Sequence, residues 1–242
     1  MVPVASQEPY AAPTTAPHSN DTTNGNAKSP STKVTVLRDT PQLRCWMTTI
    51  RDARTQGPEF ARAVGQVSRM LMYEALNHVP SEPVQVTTPT GGVYNGARTT
   101  MGVCGVSILR AGASLEQGLR DCWSGDLNFG KILIQRDEET ALPTLMYSKF
   151  PSDIKDRFVL LLEPMLATGG SASKAIALLK EQGVPESHIV FVNVIASVYG
   201  LDVITKKFPE LNIVTAAVDS DLDEKRRIMP GLGDFGDRFY GT

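Results

Sequence analysis

The stretch RFVLLLEPMLATGGSASKAIALLKEQG, residues 157–183, decides the fold. It begins with an apolar run of strand length, RFVLLLE, and ends with an alanine- and leucine-rich segment of helix length. Between them, Gly169 and Gly170 precede the helix, whose first backbone N–H groups have no partner within it. Because those N–H groups and the helix dipole attract negative charge, the stretch predicts a strand, an anion-binding turn and a helix.

The turn has the small side chains that a phosphate site requires. Residues Thr168–Ser171 let the backbone approach a phosphate closely, and they add two hydroxyl groups. An ordinary strand-to-helix turn is the alternative, and a bare Gly-Gly pair alone would favour it. The acidic Glu163 at the end of the buried strand, ahead of Thr-Gly-Gly-Ser, favours the phosphate site instead.

Strand and helix patterns alternate on both sides of this stretch. Four further runs are β-rich and could be buried on both faces: VCGVSIL at 103–109, KILIQ at 131–135, HIVFVNVIA at 188–196 and NIVTAAVD at 212–219. Helical segments are expected near Leu115–Cys122 and Leu201–Phe208. Because strands that alternate with helices form parallel sheets, we predict an α/β fold with a central, mostly parallel sheet flanked by helices.

The chain divides into a tail and one folded domain. Residues 1–32 are rich in Pro, Ala, Ser, Thr and Asn and have scarcely any large aliphatic side chain, so we expect a disordered tail. Residues 33–242 are long enough for a single α/β core. The last part of this domain, Asp219–Thr242, is charged first and glycine-rich afterwards, and we expect it to cap the edge of the sheet. Its charged run, Asp221–Arg227, is interpreted as a solvated loop.

Two helices are predicted at the start of the domain. Thr40 and Pro41 cap the first, which runs to about Asp52, and Pro58 opens the second. The second helix has an apolar stripe at helical spacing, made of Phe60, Val64, Val67, Leu71, Ala75 and Val79. We interpret the stripe as a packing face, with a subunit interface as the alternative.

Composition and charge exclude several classes of partner. The formal net charge is -2 and the charged residues are interspersed, so we expect no binding to nucleic acid or to an anionic membrane surface. No apolar run approaches the roughly 18 residues of a membrane span. The cysteines Cys45, Cys104 and Cys122 are interpreted as reduced core thiols. We therefore expect a soluble cytoplasmic protein, with the nucleus as the alternative compartment.

Three further blocks, together with the stretch above, carry a resemblance to a known family. They read GVSILRAG at 105–112, KILIQRDEET at 131–140 and PGLGDFGDR at 230–238. With EPMLATGGS at 163–171, they resemble the uracil phosphoribosyltransferases of the eukaryotic and fungal type, which belong to the type I phosphoribosyltransferases. The blocks occur in family order over residues 34–242, which is far more specific than any single motif.

The resemblance implies a reaction, a fold and a set of site residues. The reaction transfers the 5-phosphoribosyl group from phosphoribosyl diphosphate to N1 of uracil, giving UMP and diphosphate. The fold is the type I fold, in which residues 219–242 form a hood over the base and residues 163–171 form a phosphate loop. Phosphoribosyl diphosphate is assigned to Arg110, Arg136, Glu163, Pro164, Met165, Leu166, Ala167, Thr168, Gly169, Gly170, Ser171 and Asp234. Uracil is assigned to Ile228, Gly233, Asp234 and Phe235, and catalysis to Arg110, Arg136 and Asp234.

The chemistry of these residues suits the implied roles. The guanidinium groups of Arg110 and Arg136 match phosphate oxygens and would stabilise charge on the leaving diphosphate. Glu163 would accept hydrogen bonds from the ribose hydroxyls, and residues 167–171 would hold the 5-phosphate. Magnesium bound through the diphosphate is the implied cofactor. Backbone groups of the hood would read the uracil edge and position N1, so no covalent nucleophile is required.

Other chemistries lack their residues. His18, His78 and His188 are far apart and have no paired cysteines or carboxylates, so metal-ligand spacing is absent. There is no GxSxG elbow and no GxxxxGK[ST] loop. The segment Gly231–Gly236 matches GxGxxG, but only six residues follow it. No βαβ unit can form there, so the match to the dinucleotide fingerprint is accidental.

Three positions depart from the family pattern. Glu163 stands where the phosphate loop usually begins with Asp, Ala113 interrupts the common RAGES block, and Arg227 stands where a tyrosine usually precedes Ile228. These departures motivate an alternative, namely a catalytically silent homologue that binds nucleotide or a protein partner in a regulatory role. A Glu for Asp keeps the charge and the acceptor oxygens, so the enzyme is the preferred interpretation.

Two expectations concern regulation and assembly. Family members activated by GTP tend to have basic residues where Gly57 and Gln66 stand here, which predicts weak or absent GTP activation. The apolar helical stripes near residues 43–79 leave room for a homodimer or a homotetramer, as in the family.

Overall fold

The computed structural model describes residues 33–136 and 143–242. The tail at 1–32 lies outside the described residues, so its disorder stays a prediction. The end of the KILIQRDEET block, Asp137–Thr140, lies outside them as well.

The described residues form twelve strands and six α-helices. The strands are β1 Val34–Val36, β2 Ser81–Thr87, β3 Val93–Thr99, β4 Val103–Leu109, β5 Leu127–Arg136, β6 Pro143–Lys149, β7 Phe158–Leu162, β8 Met165–Leu166, β9 Ile189–Ser197, β10 Asn212–Asp219, β11 Asp221–Leu222 and β12 Ile228–Met229. The helices are α1 Pro41–Arg51, α2 Gly57–Leu76, α3 Glu116–Cys122, α4 Gly170–Glu181, α5 Val198–Lys207 and α6 Phe235–Tyr240. Short 3₁₀ turns occur at Ala111–Leu115, Ile154–Asp156 and Glu186–His188.

The main sheet has the strand order β1-β10-β9-β7-β4-β5-β6, and the short β8 also pairs with β9. Its pairs are parallel except for β5 with β6, which is antiparallel. The strands β2 and β3 form a separate antiparallel hairpin, and β11 pairs with β12 in the hood. The predicted α/β class with a mostly parallel central sheet is confirmed.

Strand β7 shows why the sheet is buried on both faces. Its alternate residues Phe158, Leu160 and Leu162 pack in one core with α1, α2 and α3. Val159 and Leu161 pack in a second core with α4 and α5. Side chains alternate between the faces because the strand period is two, and each fully buried aliphatic side chain contributes about 1.5–3 kcal/mol. The two helical layers therefore fix the end of β7 that leads into the phosphate loop.

The first two helices form as predicted. The hydroxyl of Thr40 accepts a hydrogen bond from the N–H of Leu43 at 3.2 Å and caps α1, which ends at Arg51. Pro58 lies in the first turn of α2. Five of the stripe residues lie on α2, and Val79 follows the end of the helix at Leu76. All six are buried inside this chain, so the packing interpretation is confirmed and that stripe is not exposed for a partner subunit.

Other elements differ from the sequence patterns. Helix α5 begins at Val198, three residues before the expected start, because the hydroxyl of Ser197 accepts from the N–H of Gly200 at 2.8 Å and caps the helix. The hairpin of β2 and β3 was not predicted, because its side chains are mostly exposed and lack the apolar alternation that marks a half-buried strand. Edge strand β6 was also missed.

The structure tests the prediction that the cysteines are core thiols and the prediction that no segment spans a membrane. Cys104 is buried, and burial raises the pKa of its thiol to about 11. Cys45 is exposed on α1, so the expectation of core thiols is wrong for that residue. Among the described helices, none combines the length and the apolar character needed to cross a bilayer.

Candidate active site

A cavity of about 750 Å³ opens at the carboxyl ends of the central strands. Parallel sheets of this class bind ligands at this edge, because the loops that follow the strands converge there. Its walls come from the phosphate loop, from the turn after β4 and from the hood. The lining residues are Arg110, Ala111, Glu163, Met165, Leu166, Ala167, Thr168, Gly169, Gly170, Ser171, Ala172, Lys225, Arg226, Arg227, Ile228, Met229, Pro230, Gly233, Asp234, Phe235 and Gly236.

The phosphate loop is attached to the sheet along its first half. The carbonyl of Pro164 accepts hydrogen bonds from the N–H groups of Val194 and Ile195 at 2.9 and 3.0 Å. Strand β8 then pairs in parallel with β9, which brings Met165 opposite Ile195. The loop is therefore an extension of the sheet and not a free turn.

The second half of the phosphate loop presents the start of α4 to the cavity. Gly169 is the N-cap, and its φ of 79° is a left-handed conformation that favours glycine. The first i→i−4 bond of the helix joins the N–H of Ser173 to the carbonyl of Gly169 at 2.8 Å. The N–H groups between these two residues precede that bond and point toward the cavity end of the helix, which is the anion-binding arrangement that the sequence predicts.

The start of α5 supports the loop from behind, which the sequence did not predict. The hydroxyl of Ser197 donates to the carbonyl of Ala167 at 2.5 Å. Gly200 is buried so close to the loop that a Cβ there would lie 2.5 Å from the Ala167 carbonyl oxygen and 3.0 Å from that of Leu166. A glycine and a serine after a buried strand were the available signal, but only the fold shows that they contact the loop.

Arg110 enters the cavity from the neighbouring strand. It follows β4, which is paired in parallel with β7, so the ends of the two strands lie side by side. The hydroxyl of Tyr240 donates to the Arg110 carbonyl at 3.0 Å, and the Arg110 guanidinium lies 5.7 Å from the centre of the Tyr240 ring. Its Nη2 lies 3.5 Å from a carboxylate oxygen of Asp237. The last helix of the hood therefore contacts the arginine that the sequence assigns to the diphosphate.

The hood is connected to the body of the domain by a buried ion pair. Both terminal nitrogens of Arg51 donate to the carboxylate of Asp219 at 2.8 Å, and the N–H of Gly231 donates to the same carboxylate at 2.8 Å. Burial alone would raise the pKa of Asp219, but the bonds from Arg51 and Gly231 outweigh burial and lower it. The carboxylate therefore stays ionised and links both ends of the hood hairpin to α1.

A second arginine fixes the end of the hood. The guanidinium of Arg238 donates to the carbonyls of Ile50, Asp52 and Leu232 at 2.5, 2.7 and 2.6 Å. It also lies 4.3 Å from the centre of the Phe60 ring. Because every carbonyl in this set is a backbone group, Arg238 positions the hood through the main chain of α1 and its C-terminus.

The base-pocket residues assigned from the resemblance occupy different depths of the hood. Ile228 and Phe235 are buried, and the Phe235 ring packs edge-on against Phe60 at 5.4 Å. Asp234 is exposed and caps α6 by accepting from the N–H of Asp237 at 3.0 Å. All of them line the cavity, as does Gly233.

Most of the predicted site residues meet in this cavity. Pro164 is an exception, because it is buried and bonds to β9 instead of lining the space. Arg136 ends β5, but its side chain lies outside the described part of the structure, so its role stays a prediction. The remaining assigned residues all belong to the lining.

The charged run of the hood also lines the cavity. Lys225, Arg226 and Arg227 are solvated, as predicted for Asp221–Arg227, but they also contribute to one wall of the cavity, which the sequence did not indicate. They are exposed, yet they face the space between hood and phosphate loop. Composition could not reveal this, because charge runs are usually solvated surface and the direction of this turn depends on the fold.

Comparison with known proteins agrees with the geometry. A family model described as uracil phosphoribosyltransferase matches residues 36–242, a range that contains every residue of the cavity. The uracil phosphoribosyltransferase of Lachancea kluyveri is 50% identical over 214 residues, covering 88% of this chain and 99% of that protein. That of Dictyostelium discoideum is 48% identical and covers 86% and 96%. A solved structure of an Aquifex aeolicus protein is similar with a TM-score of 0.76 at 32% identity, covering 86% of this chain and 98% of that one.

Proposed function

The chain belongs to the uracil phosphoribosyltransferase family, and we infer from this that it transfers the 5-phosphoribosyl group from phosphoribosyl diphosphate to N1 of uracil. The products are UMP and diphosphate, so the reaction salvages a pyrimidine base. One observation on the structure of the site supports this inference. The phosphate loop, Arg110 and the base-pocket residues of the hood line one cavity, where an anionic sugar and a base can meet.

The proposed roles begin with the sugar phosphate. The N–H groups at the start of α4 and the hydroxyls of Thr168 and Ser171 would hold the 5-phosphate, since they combine donors with a helix N-terminus. The carboxylate of Glu163 would accept from the ribose hydroxyls. Glu163 and the phosphate-binding turn flank a segment that is attached to β9 by the hydrogen bonds of Pro164 and by the pairing of β8. The ribose would therefore be held in a fixed position.

The leaving group and the base would occupy the other walls. Attack of N1 on the anomeric carbon forms the N-glycosidic bond as the bond to diphosphate breaks, through an oxocarbenium-like transition state. Arg110 would stabilise the negative charge that develops on the diphosphate, with Arg136 proposed to assist. The backbone around Ile228 and Gly233 would read the uracil edge, and Asp234 would face the reacting groups. Positioning and electrostatics together would supply the acceleration.

Magnesium is proposed to enter with the diphosphate. Glu163 and Asp234 supply oxygen ligands of the kind that magnesium prefers, and both line the cavity. Within the described residues, no three or more metal-ligating side chains converge on one point. When bound, magnesium would neutralise part of the diphosphate charge.

A steady-state assay of nucleotide formation tests this function. The purified chain with magnesium and phosphoribosyl diphosphate should form UMP from uracil and far less nucleotide from cytosine or hypoxanthine. No observation favours the silent homologue, which would bind UMP without turnover. If no UMP formed at millimolar substrates while an active relative produced it under the same conditions, the proposed function would be refuted.

Assembly and compartment complete the proposal. We propose a homodimer or a homotetramer, as the resemblance implies, and we propose the cytoplasm as its compartment on the grounds of composition and cysteine content. The stripe on α2 does not supply the interface, since it is buried within the chain. Light scattering of the purified protein measures the mass of the assembly, and addition of GTP to the assay tests the predicted lack of activation.

A further inference from the structure

The turn between β11 and β12 concentrates positive charge on the hood wall of the cavity. Lys225, Arg226 and Arg227 follow one another in the chain, and all three line the cavity. The formal net charge of the whole chain is -2, so this concentration runs against the overall balance. The acidic Asp223 and Glu224 precede them in the same turn, but neither lines the cavity, so the part of the turn that faces the cavity is cationic.

Arg226 differs from its neighbours in its backbone conformation. Its φ is 60°, and it is the single non-glycine residue with a positive φ among the described residues. Most non-glycine residues avoid this left-handed region, where a Cβ approaches the backbone, and asparagine or glycine is far commoner there. An arginine at such a position costs stability without improving the packing, since its side chain is exposed. A role for its side chain accounts for this choice of residue.

Its neighbour Arg227 has a different task. The backbone N–H and the Nε of Arg227 donate to the Asp223 carboxylate at 2.8 and 2.7 Å, and the Asp223 N–H donates to the Arg227 carbonyl at 2.9 Å. The N–H of Arg226 donates to the Asp223 carbonyl at 2.8 Å. These bonds close the turn and neutralise Arg227. The structure shows no ion pair for the side chains of Lys225 and Arg226 among the described residues, so their charge is available to a ligand.

We propose that Arg226, assisted by Lys225, forms a cationic subsite on the hood that binds the diphosphate group of phosphoribosyl diphosphate. This inference rests on the proposed function and adds a second wall to the diphosphate site. A compact space with the cavity's volume would be about 11 Å across, so an extended arginine or lysine side chain on the hood wall brings its charge within the Debye length of about 8 Å of an anion on the opposite wall. A cation on the hood wall therefore attracts a polyanion on the opposite wall. The subsite increases the rate of substrate capture and holds the diphosphate against the hood.

Three substitutions at one position separate charge from backbone conformation. Arg226→Gln removes the charge and keeps the unfavourable backbone conformation. Arg226→Gly removes the charge and relieves the conformation, so its melting temperature should equal or exceed that of the parent chain. Arg226→Lys keeps the charge. Lys155→Gln, on an exposed 3₁₀ turn outside the cavity, controls for the change in net charge.

Calorimetric titration with inorganic diphosphate and magnesium, at 50 and 200 mM salt, is the direct measurement. We expect Arg226→Gln and Arg226→Gly to weaken diphosphate binding equally, by about three- to tenfold at low salt, and to show a shallower salt dependence. Arg226→Lys and Lys155→Gln should stay within about twofold of the parent chain. The KM for phosphoribosyl diphosphate should rise by the same factor while the KM for uracil stays unchanged.

Two results would overturn the subsite. Either the neutral variants bind diphosphate as tightly as the parent chain, or Arg226→Lys binds as weakly as Arg226→Gln. Because binding of inorganic diphosphate requires no turnover, a chain that made no UMP yet showed the expected binding pattern would refute the proposed function and leave the subsite standing. If the chain formed UMP but the neutral variants bound diphosphate as tightly as the parent chain, the subsite would be refuted and the proposed function would stand.

Discussion

The phosphate loop and the hood face each other across one cavity, but they are built in different ways. The phosphate loop continues a buried strand, and its position follows from neighbouring hydrogen bonds to β9 and α5. The hood has short strands and one short helix, and two arginines connect it to α1. Arg51 of α1 binds Asp219 at the start of the hood, and Arg238 of the hood binds the carbonyl of Ile50. The phosphate loop is held by contacts 30 positions away in sequence, and the hood by ion pairs and hydrogen bonds more than 160 positions away. Substitutions should therefore damage the two walls differently.

The activity should be most sensitive to a single methyl group added behind the phosphate loop. In Gly200→Ala, the added Cβ would lie 2.5 Å from the Ala167 carbonyl oxygen, so the phosphate loop must shift. We expect kcat/KM to fall about 100-fold, since a displacement near 1 Å is enough for such a loss. The free energy of unfolding should fall by about 1–3 kcal/mol. Enzyme kinetics and urea unfolding measure the two effects.

A second glycine provides the control for that comparison. At Gly65 on α2, the nearest atom to a new Cβ is a flexible Arg69 nitrogen at 3.8 Å. Gly65→Ala should leave kcat/KM unchanged and stabilise the helix by about 0.5–1 kcal/mol. Full activity in Gly200→Ala would show that the contact with α5 does not position the loop.

The hood should lose its fixed position when the ion pair of Arg51 with Asp219 is broken. Arg51→Met leaves the buried carboxylate of Asp219 without its cation, while Gly231 remains its only other donor in the described structure. Removing one partner of a buried pair costs about 3–5 kcal/mol, and the partial exposure of Arg51 reduces this to about 2–3 kcal/mol. Because the hood carries the proposed base pocket, the KM for uracil should rise about tenfold, with a smaller effect on the binding of phosphoribosyl diphosphate.

An exposed pair between α1 and the residues that precede it is the matched control. Arg44 and Asp39 form an ion pair at 2.7 Å in which both side chains are about two-thirds exposed. Arg44→Met should leave the free energy of unfolding essentially unchanged, because solvent screens an exposed ion pair. Equal losses from Arg44→Met and Arg51→Met would contradict a special role for the buried pair.

The difference between the walls also explains what the sequence could predict. The strand, the glycine pair and the helix of the phosphate loop are consecutive, so their periodicity and turn chemistry identify them directly. The contacts of Arg51 with Asp219 and of Arg238 with Ile50 join residues more than 160 positions apart, and no local pattern indicates such pairs. The cavity-facing Arg226 was missed for the same reason, since the turn's direction depends on those contacts. Composition predicted a cap at Asp219–Thr242, and the family resemblance assigned that cap to the base.

Acid should loosen the attachment of the hood to α1. Burial alone would raise the pKa of Asp219, but Arg51 and Gly231 lower it below its ordinary value of 3.8. A carboxylate with a lowered pKa stabilises the fold above its ordinary pKa, and this contribution is lost as the pH falls through the folded-state value. We expect the stability difference between the parent chain and Asp219→Asn to be constant from about pH 5 to 7 and to shrink below about pH 4. Urea unfolding across this range measures it, and a difference that grew toward low pH would show that the pair is not the cause.

The smallest effect should come from the hydrogen bond that joins Tyr240 of the hood to the Arg110 carbonyl. Tyr240→Phe removes the hydroxyl that donates to the Arg110 carbonyl at 3.0 Å and keeps the ring beside the guanidinium. Burial raises the pKa of Tyr240, so the hydroxyl stays protonated and able to donate at neutral pH. Loss of one partly exposed hydrogen bond costs about 0.5 kcal/mol, so kcat should fall about two- to threefold with little change in stability. Tyr94→Phe on the exposed hairpin is the control, and an equal loss there would mean that the hood positions Arg110 without this bond.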